Sequence, residues 1–126
     1  MNQSPINKKK ILIIGASTDA SRYSFIAAHK LCKAGYEIIN LGAKPGVVAG
    51  TEFTHQFPTG QDIDTITLYI NPRLQESYLE DMIKAKPRRI IFNPGTENPA
   101  IYPLLEKNQI ICEEACTLVL LSLGKF

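Results

Sequence analysis

Residues 11–14 read Ile-Leu-Ile-Ile, an apolar run with no polar residue between its members. A strand buried on both faces has that pattern, and such strands belong to parallel sheets. The rhythm then changes. Phe25, Ile26, Ala28 and Leu31 fall at helical spacing within 22–34, and Gly35 stands where a glycine commonly ends a helix. Strand patterns return at 36–41 and at 64–70, the second rich in Ile, Thr and Tyr. Pro72 suits the first turn of a helix, where its missing N–H is not needed. Leu74, Tyr78, Leu79, Met82 and Ile83 then form a 3.6-residue stripe that stops before Pro87, which predicts one helix. A strand at 89–92, a short helix at 100–107, a last strand at 109–112 and a final helix at 115–123 complete the order. The stretch 44–61 is the least regular, with Pro45, Gly46, Gly50, Pro58 and Gly60, and a short strand is expected around 51–54.

Strand and helix alternate from end to end. That order predicts an α/β fold: a doubly wound parallel sheet of about five strands, with helices on both faces and right-handed crossovers. Ligands of such sheets bind beyond the carboxyl ends of the strands, where the strand order reverses. Function is therefore to be sought in four loops, at 15–18, 42–44, 71–73 and 93–96.

Composition narrows the picture without changing it. A chain of 126 residues is expected to form one domain over 1–126, with 1–8 as a loose tail. Its apolar share of 44% and charged share of 21% exclude a disordered or collagen-like chain. No apolar run approaches the roughly 18–20 residues of a membrane span. Fourteen basic against twelve acidic residues leave a net charge of +2, too little for the basic face of a nucleic-acid binder. Three cysteines without a C-x-x-C or zinc spacing suggest reduced thiols and a cytoplasmic protein. Lys8, Lys9 and Lys10 precede an apolar run that breaks at Gly15, too short for a signal peptide.

The loops differ in chemistry. Gly15, Ala16, Ser17 and Thr18 make a small-residue turn from strand to helix, whose N–H groups and hydroxyls suit an anion. The same residues also suit a plain turn with a Ser/Thr cap, and they match neither G-x-G-x-x-G nor a P-loop. Dinucleotide folds carry an acid near the end of the second strand to hold the adenosine ribose. Here no acid is present and Lys44 follows the strand. A cation there favours a phosphorylated adenosine, NADP or coenzyme A, over NAD; the alternative is a solvated loop lysine. Asn71, Pro72 and Arg73 open a helix, and Arg73 suits bidentate contact with a phosphate or a plain surface position. Pro94 and Gly95 allow backbone to approach a ligand closely. Asn98 is expected to cap the next helix, with Pro99 at its first position.

In combination these residues resemble the small stand-alone CoA-binding proteins, relatives of the CoA-binding domain of the succinyl-CoA synthetase alpha subunit. The resemblance rests on Gly15-Ala16-Ser17, Arg22-Tyr23-Ser24-Phe25, Leu31, Gly35-Tyr36, Lys44 and Gly50, then on Ile91-Phe92-Asn93-Pro94-Gly95 with Asn98, and on Cys116. It spans about residues 9 to 117. The sequence departs from the family pattern at Ala43, Ile91 and Asn93, where many members carry proline, tryptophan and glutamine. The resemblance implies a Rossmann-like sheet that binds the ADP half of coenzyme A or an acyl-CoA. Gly15 and Ser17 would then meet phosphates and Lys44 the ribose phosphate. Ile70, Asn71 and Pro72 would flank the adenine or pyrophosphate, and Pro94 and Gly95 would close the cleft. Ala16, Thr18, Arg22 and Arg73 complete the expected cofactor-binding set.

No catalytic residue and no metal site are expected. His29 and His55 lack acidic partners in sequence. Cys116, near the start of the last helix, suits either a small apolar position or a mixed disulfide with a bound thiol. Glu113 and Glu114 read as helix N-terminal charges. The chain is read as more a binder than an enzyme, with a small-molecule nucleotide ligand and no nucleic-acid or membrane partner; a homodimer is left open. Two alternatives stay: a small NADP-binding oxidoreductase, which lacks a Tyr-x-x-x-Lys pair, and an interaction module with a vestigial cleft. Strand ends without acids disfavour a phosphorylation receiver.

Overall fold

A computed structural model describes residues 9–126; the tail expected at 1–8 lies outside the described residues. Five parallel strands form the main sheet in the order β2-β1-β5-β6-β7. They are β1 (Lys10–Ile14), β2 (Glu37–Leu41), β5 (Ile63–Leu68), β6 (Arg89–Phe92) and β7 (Ile111–Glu114). The order reverses between β1 and β5, so the sheet is a doubly wound, Rossmann-like α/β fold, as the alternation of elements predicts.

The two faces of the sheet explain the unalternated strands. Leu12 and Ile14 join Ile66, Leu68, Ile90 and Phe92 in one core, covered by Met82 of α3 (Leu79–Ala85) and Leu105 of α4 (Tyr102–Lys107). Ile11 and Ile13 face the other way, against Ala28 and Leu31 of α1 (Tyr23–Lys33), with Leu121 of α5 (Thr117–Ser122) at the margin. Central strands thus need apolar residues at every position.

Several elements differ from the sequence expectation; the strand expected at 64–70 runs Ile63–Leu68 and leaves Tyr69 and Ile70 to the loop. The helix predicted from Pro72 is broken into α2 (Pro72–Gln75), a 3-10 turn (Glu76–Tyr78) and α3. The stripe of apolar residues is real, but the break falls just after Gln75, which is buried and hydrogen-bonded to the loops. The last strand starts at Ile111, two residues later than expected. Asn108, Gln109 and Ile110 are used to close α4: their N–H groups donate to the carbonyls of Leu105, Glu106 and Leu105, and Gln109 takes a left-handed φ of 61°. Glu113 and Glu114 therefore sit in β7, not at a helix start. Glu113 accepts Arg89 Nη1 at 3.1 Å, and Glu114 accepts the Tyr102 hydroxyl at 2.8 Å. The expected strand around 51–54 is one arm of a hairpin, β3 (Val47–Val48) with β4 (Thr51–Glu52), joined through left-handed Ala49 and Gly50. The final helix is shorter at both ends than the expected 115–123.

Buried charge sits at the far end of the sheet from the loops. Arg89 is 6% exposed; its Nε donates to Thr65 Oγ1 at 3.1 Å, and Phe126 stacks under its guanidinium at 4.5 Å. Next to it, Arg88 makes a two-pronged contact with Asp64, Nε to Oδ1 and Nη2 to Oδ2 both at 3.2 Å. Burial alone would raise the Asp64 carboxyl, but Arg88 and the Thr65 hydroxyl hold it below its ordinary value of 3.8. A carboxylate depressed in the folded state stabilises above its unfolded pKa, and that contribution disappears as pH falls through the folded pKa. Thermal melts between about pH 5 and about pH 2 should show a steeper acid loss for the parent than for Asp64→Asn. Parallel curves would show that this pair adds nothing to the acid limb.

Candidate functional site

The loops at the carboxyl ends of β1, β2, β5 and β6 enclose a cavity of about 960 Å³ at the point where the strand order reverses. That is near the upper end of ordinary ligand pockets, roughly 300–1,000 Å³.

The β1 loop is built by glycine and by its own hydroxyls. Gly15 has φ +100°, and a Cβ there would press on the Tyr69 backbone at 3.1 Å. Its N–H and that of Ala16 both donate to the Leu41 carbonyl at 3.0 Å, which ties the β1 turn to the end of β2. Ser17 Oγ accepts the Asp19 N–H at 3.0 Å, and Asp19 Oδ1 accepts both the N–H and the hydroxyl of Ser21. These bonds, with Arg22 at 3.8 Å, hold the Asp19 carboxyl below its ordinary value. Among the described residues, no acceptor faces the N–H groups of Ser17 and Thr18. A turn with free amides is a ready anion site.

The irregular stretch after β2 folds back over this turn. A Cβ on Gly46 would lie 2.5 Å from the Thr18 methyl, so only glycine lets the two loops touch. The Gly42 carbonyl accepts from His55 Nδ1 at 2.9 Å, and its N–H donates to the Thr54 carbonyl. Lys44, Pro45 and Phe53 stand on the cleft wall.

The opposite wall belongs to the loops after β5 and β6. Asn71 Oδ1 accepts the Leu74 N–H at 3.0 Å and caps α2, with Pro72 at its first position. Gln75 is wholly buried. Its Nε2 donates to the Ile70 carbonyl at 3.0 Å and the Thr96 carbonyl at 2.7 Å, and its Oε1 accepts Asn98 Nδ2 at 3.1 Å. One side chain therefore spaces the β5 loop from the β6 loop. Asn98 spends its amide on Gln75 and caps no helix through its side chain, contrary to expectation, although Pro99 does open the following 3-10 turn.

Beneath this wall, Asn93 Nδ2 donates to Thr67 Oγ1 at 2.7 Å and to the Leu68 carbonyl at 2.9 Å. Its Oδ1 accepts the Thr117 N–H at 2.8 Å, so Asn93 caps α5 from a distant strand end. Tyr69 lies on the cleft floor with its hydroxyl buried and unpaired among the described residues, and burial raises its phenol above the ordinary value. Away from the cleft, burial and the Glu114 carboxylate push the Tyr102 phenol up to about 12, and burial beside Glu106 pushes the Cys112 thiol up to about 11.

Of the residues singled out in the sequence, Gly15, Ala16, Ser17, Thr18, Arg22, Lys44, Ile70 and Pro94 line the cleft. Asn71, Pro72, Arg73 and Gly95 stand beside it without forming its wall. His29 is exposed on α1, and Cys116 precedes α5 outside the lining. Sequence reasoning missed Leu74, Ser77 and Tyr78, which it placed in or beside a core stripe, and Phe53 and Tyr69; Asn93, in the loop it did single out, also lines the cleft. Leu74 and Tyr78 are four apart and share a face, a signal for the cleft only once the helix break is known. No three His, Cys, Asp or Glu side chains among the described residues gather as a metal site, and no described helix is long and apolar enough to cross a membrane.

A family model described as "CoA binding domain" matches residues 9–122. No curated protein matches the chain. A solved structure described as an uncharacterized protein is 44% identical, with a TM-score of 0.90; the match covers 94% of this chain and 98% of that one. A hypothetical protein from Pyrococcus horikoshii OT3 is 23% identical with a TM-score of 0.77, over 90% of this chain and 81% of that one. A Thermus thermophilus protein is 19% identical with a TM-score of 0.83, over 94% and 91%. The last two likenesses concern the fold alone.

Proposed function

The chain belongs to the CoA-binding domain family, and on that premise we propose that the cleft holds coenzyme A or an acyl-CoA by its ADP-3′-phosphate part, with no chemistry of its own. The observation that carries this reading is the position of Lys44. It stands on the cleft wall just past β2, where a ribose-binding acid would serve NAD. In this reading the Gly15–Thr18 turn receives the pyrophosphate through the free amides of Ser17 and Thr18. Lys44 faces the ribose 3′-phosphate, and Arg22 adds positive charge at the same mouth. Ile70 and Pro94 border the path beyond the pyrophosphate. Asn71 and Pro72 act through the α2 cap that places Ile70, while Gly95 shapes the turn and Arg73 contributes only long-range charge. No catalytic role is assigned to His55, whose Nδ1 is committed to Gly42.

Thermal shift with CoA, dephospho-CoA, NADP, NAD and ATP tests the ligand. A ligand at 100 times its Kd adds about 2.7 kcal/mol of stability. CoA is expected to give the largest shift. A larger one for NADP would favour an oxidoreductase, and none for any nucleotide would leave an interaction module. Lys44→Ala should weaken CoA by about 1.5–3 kcal/mol, ten- to a hundredfold. Dephospho-CoA should lose as much on the parent and little more on the variant; an unchanged affinity for CoA removes Lys44 from the site.

A further inference from the structure

The cleft is charged at one end only. Asp19, Arg22 and Lys44 all belong to the β1 and β2 loops. The other end, under the β5 and β6 loops, is walled by Ile70, Leu74, Ser77, Tyr78, Pro94 and Thr96, none of them charged. Leu74 is 54% exposed there, an apolar side chain about half open to solvent. It lines the cleft from α2, just before the break that follows Gln75. The charged residues of these loops are outside the lining: Arg73 and Glu76 flank Leu74 and Gln75 in sequence, and Glu97 accepts the Gly95 N–H on its Oε1 at 2.9 Å.

The order of the strands turns this asymmetry into a direction. The loops follow one another as β2, β1, β5 and β6. In a CoA thioester the pyrophosphate joins the adenosine to the pantetheine arm. With the ribose phosphate at the β2 loop and the pyrophosphate at the β1 turn, the arm and its acyl group run toward β5 and β6. From this we infer that the cleft selects acyl-CoAs with an uncharged, apolar acyl group and discriminates against acyl groups that end in a carboxylate. The inference rests on the reading of the cleft as a CoA site. Its physical basis is that an apolar group gains by covering Leu74 and Tyr78, whereas a carboxylate there would lose water and meet no lining cation.

Butyryl-CoA and succinyl-CoA make a matched test, four acyl carbons each, one ending in methyl and the other in carboxylate. Titration calorimetry should find butyryl-CoA at least about tenfold tighter on the parent protein. Leu74→Arg, at an exposed helical position, should shrink that ratio to about threefold or less. Ser77→Arg, also exposed, serves if Leu74→Arg does not fold. Equal or tighter succinyl-CoA binding on the parent overturns the inference. So does an unchanged ratio in the folded arginine variant, because the acyl end would then lie elsewhere. If CoA itself binds but neither thioester does, the acyl end has no seat in the cleft and the inference is again overturned. If no CoA species binds at all, the failure is that of the CoA reading itself.

Discussion

Asn93→Leu is expected to cost about 4 kcal/mol of stability and to lower the melting temperature by more than about 10 °C. Leucine has the same branched skeleton of four side-chain heavy atoms without the polar ones, so the loss comes chiefly from polar groups left behind. Thr117 would lose the acceptor of its first helical N–H, and the Leu68 carbonyl would lose a donor, both in a buried setting. Each buried group left unsatisfied costs about 1–3 kcal/mol. The Thr67 and Thr117 hydroxyls would keep only their mutual bond of 2.8 Å. A chain of this length has roughly 6–19 kcal/mol in total, so the variant should still fold at room temperature. Chemical denaturation gives the free energy directly. A loss below about 1 kcal/mol would mean that water or a shifted α5 satisfies Thr117.

Gln75→Leu should cost about 3 kcal/mol, and it should damage the cleft more than its effect on stability suggests. Gln75 ties no core element to another. It spans two loops, and its loss leaves the Ile70 and Thr96 carbonyls and the Asn98 amide without partners. The β5 and β6 loops would then part to admit water, widening the gap between Ile70 and Pro94. CoA affinity should fall about tenfold, measured by titration at a temperature where the variant is fully folded. Melting curves without CoA give the lost stability separately. If the folded Gln75→Leu variant binds CoA as tightly as the parent, Gln75 is only a structural brace.

The two side chains show where reading the chain in one dimension stops. Asn93 stands where many family members carry glutamine, and its sequence neighbours mark it only as part of a Pro-Gly turn. Its partners are 24 to 26 residues away, on β5 and at the head of α5. Gln75 was one polar position in an amphipathic pattern, and a polar residue on a helix is normally solvated. Its burial depends on the Thr96 carbonyl, 21 residues on. The same holds for Leu74 and Tyr78. Periodicity assigned Tyr78 to the core stripe, correctly in that it packs near Phe57 at 6.4 Å. That it also lines the cleft follows from the 3-10 turn at Glu76–Tyr78, which no local signal announces.

What the sequence by itself determined is what short-range physics controls. Ile11–Ile14 and Ile90–Phe92 could only be central strands, because apolar residues at every position need cover on both faces. Gly15 marked a turn, and Asn71-Pro72 a helix start, through backbone preferences that act within four residues. The alternation of elements then led to the doubly wound sheet, and Lys44 to the cleft's charged end. Only the tertiary structure decided the register of β7, the break after Gln75, and the pairing of Gln75, Asn93 and Asn98 with groups far along the chain. Those outcomes rest on buried hydrogen bonds between distant residues, whose strength depends on exclusion from water and so exists only once the sheet and its helices have closed around them.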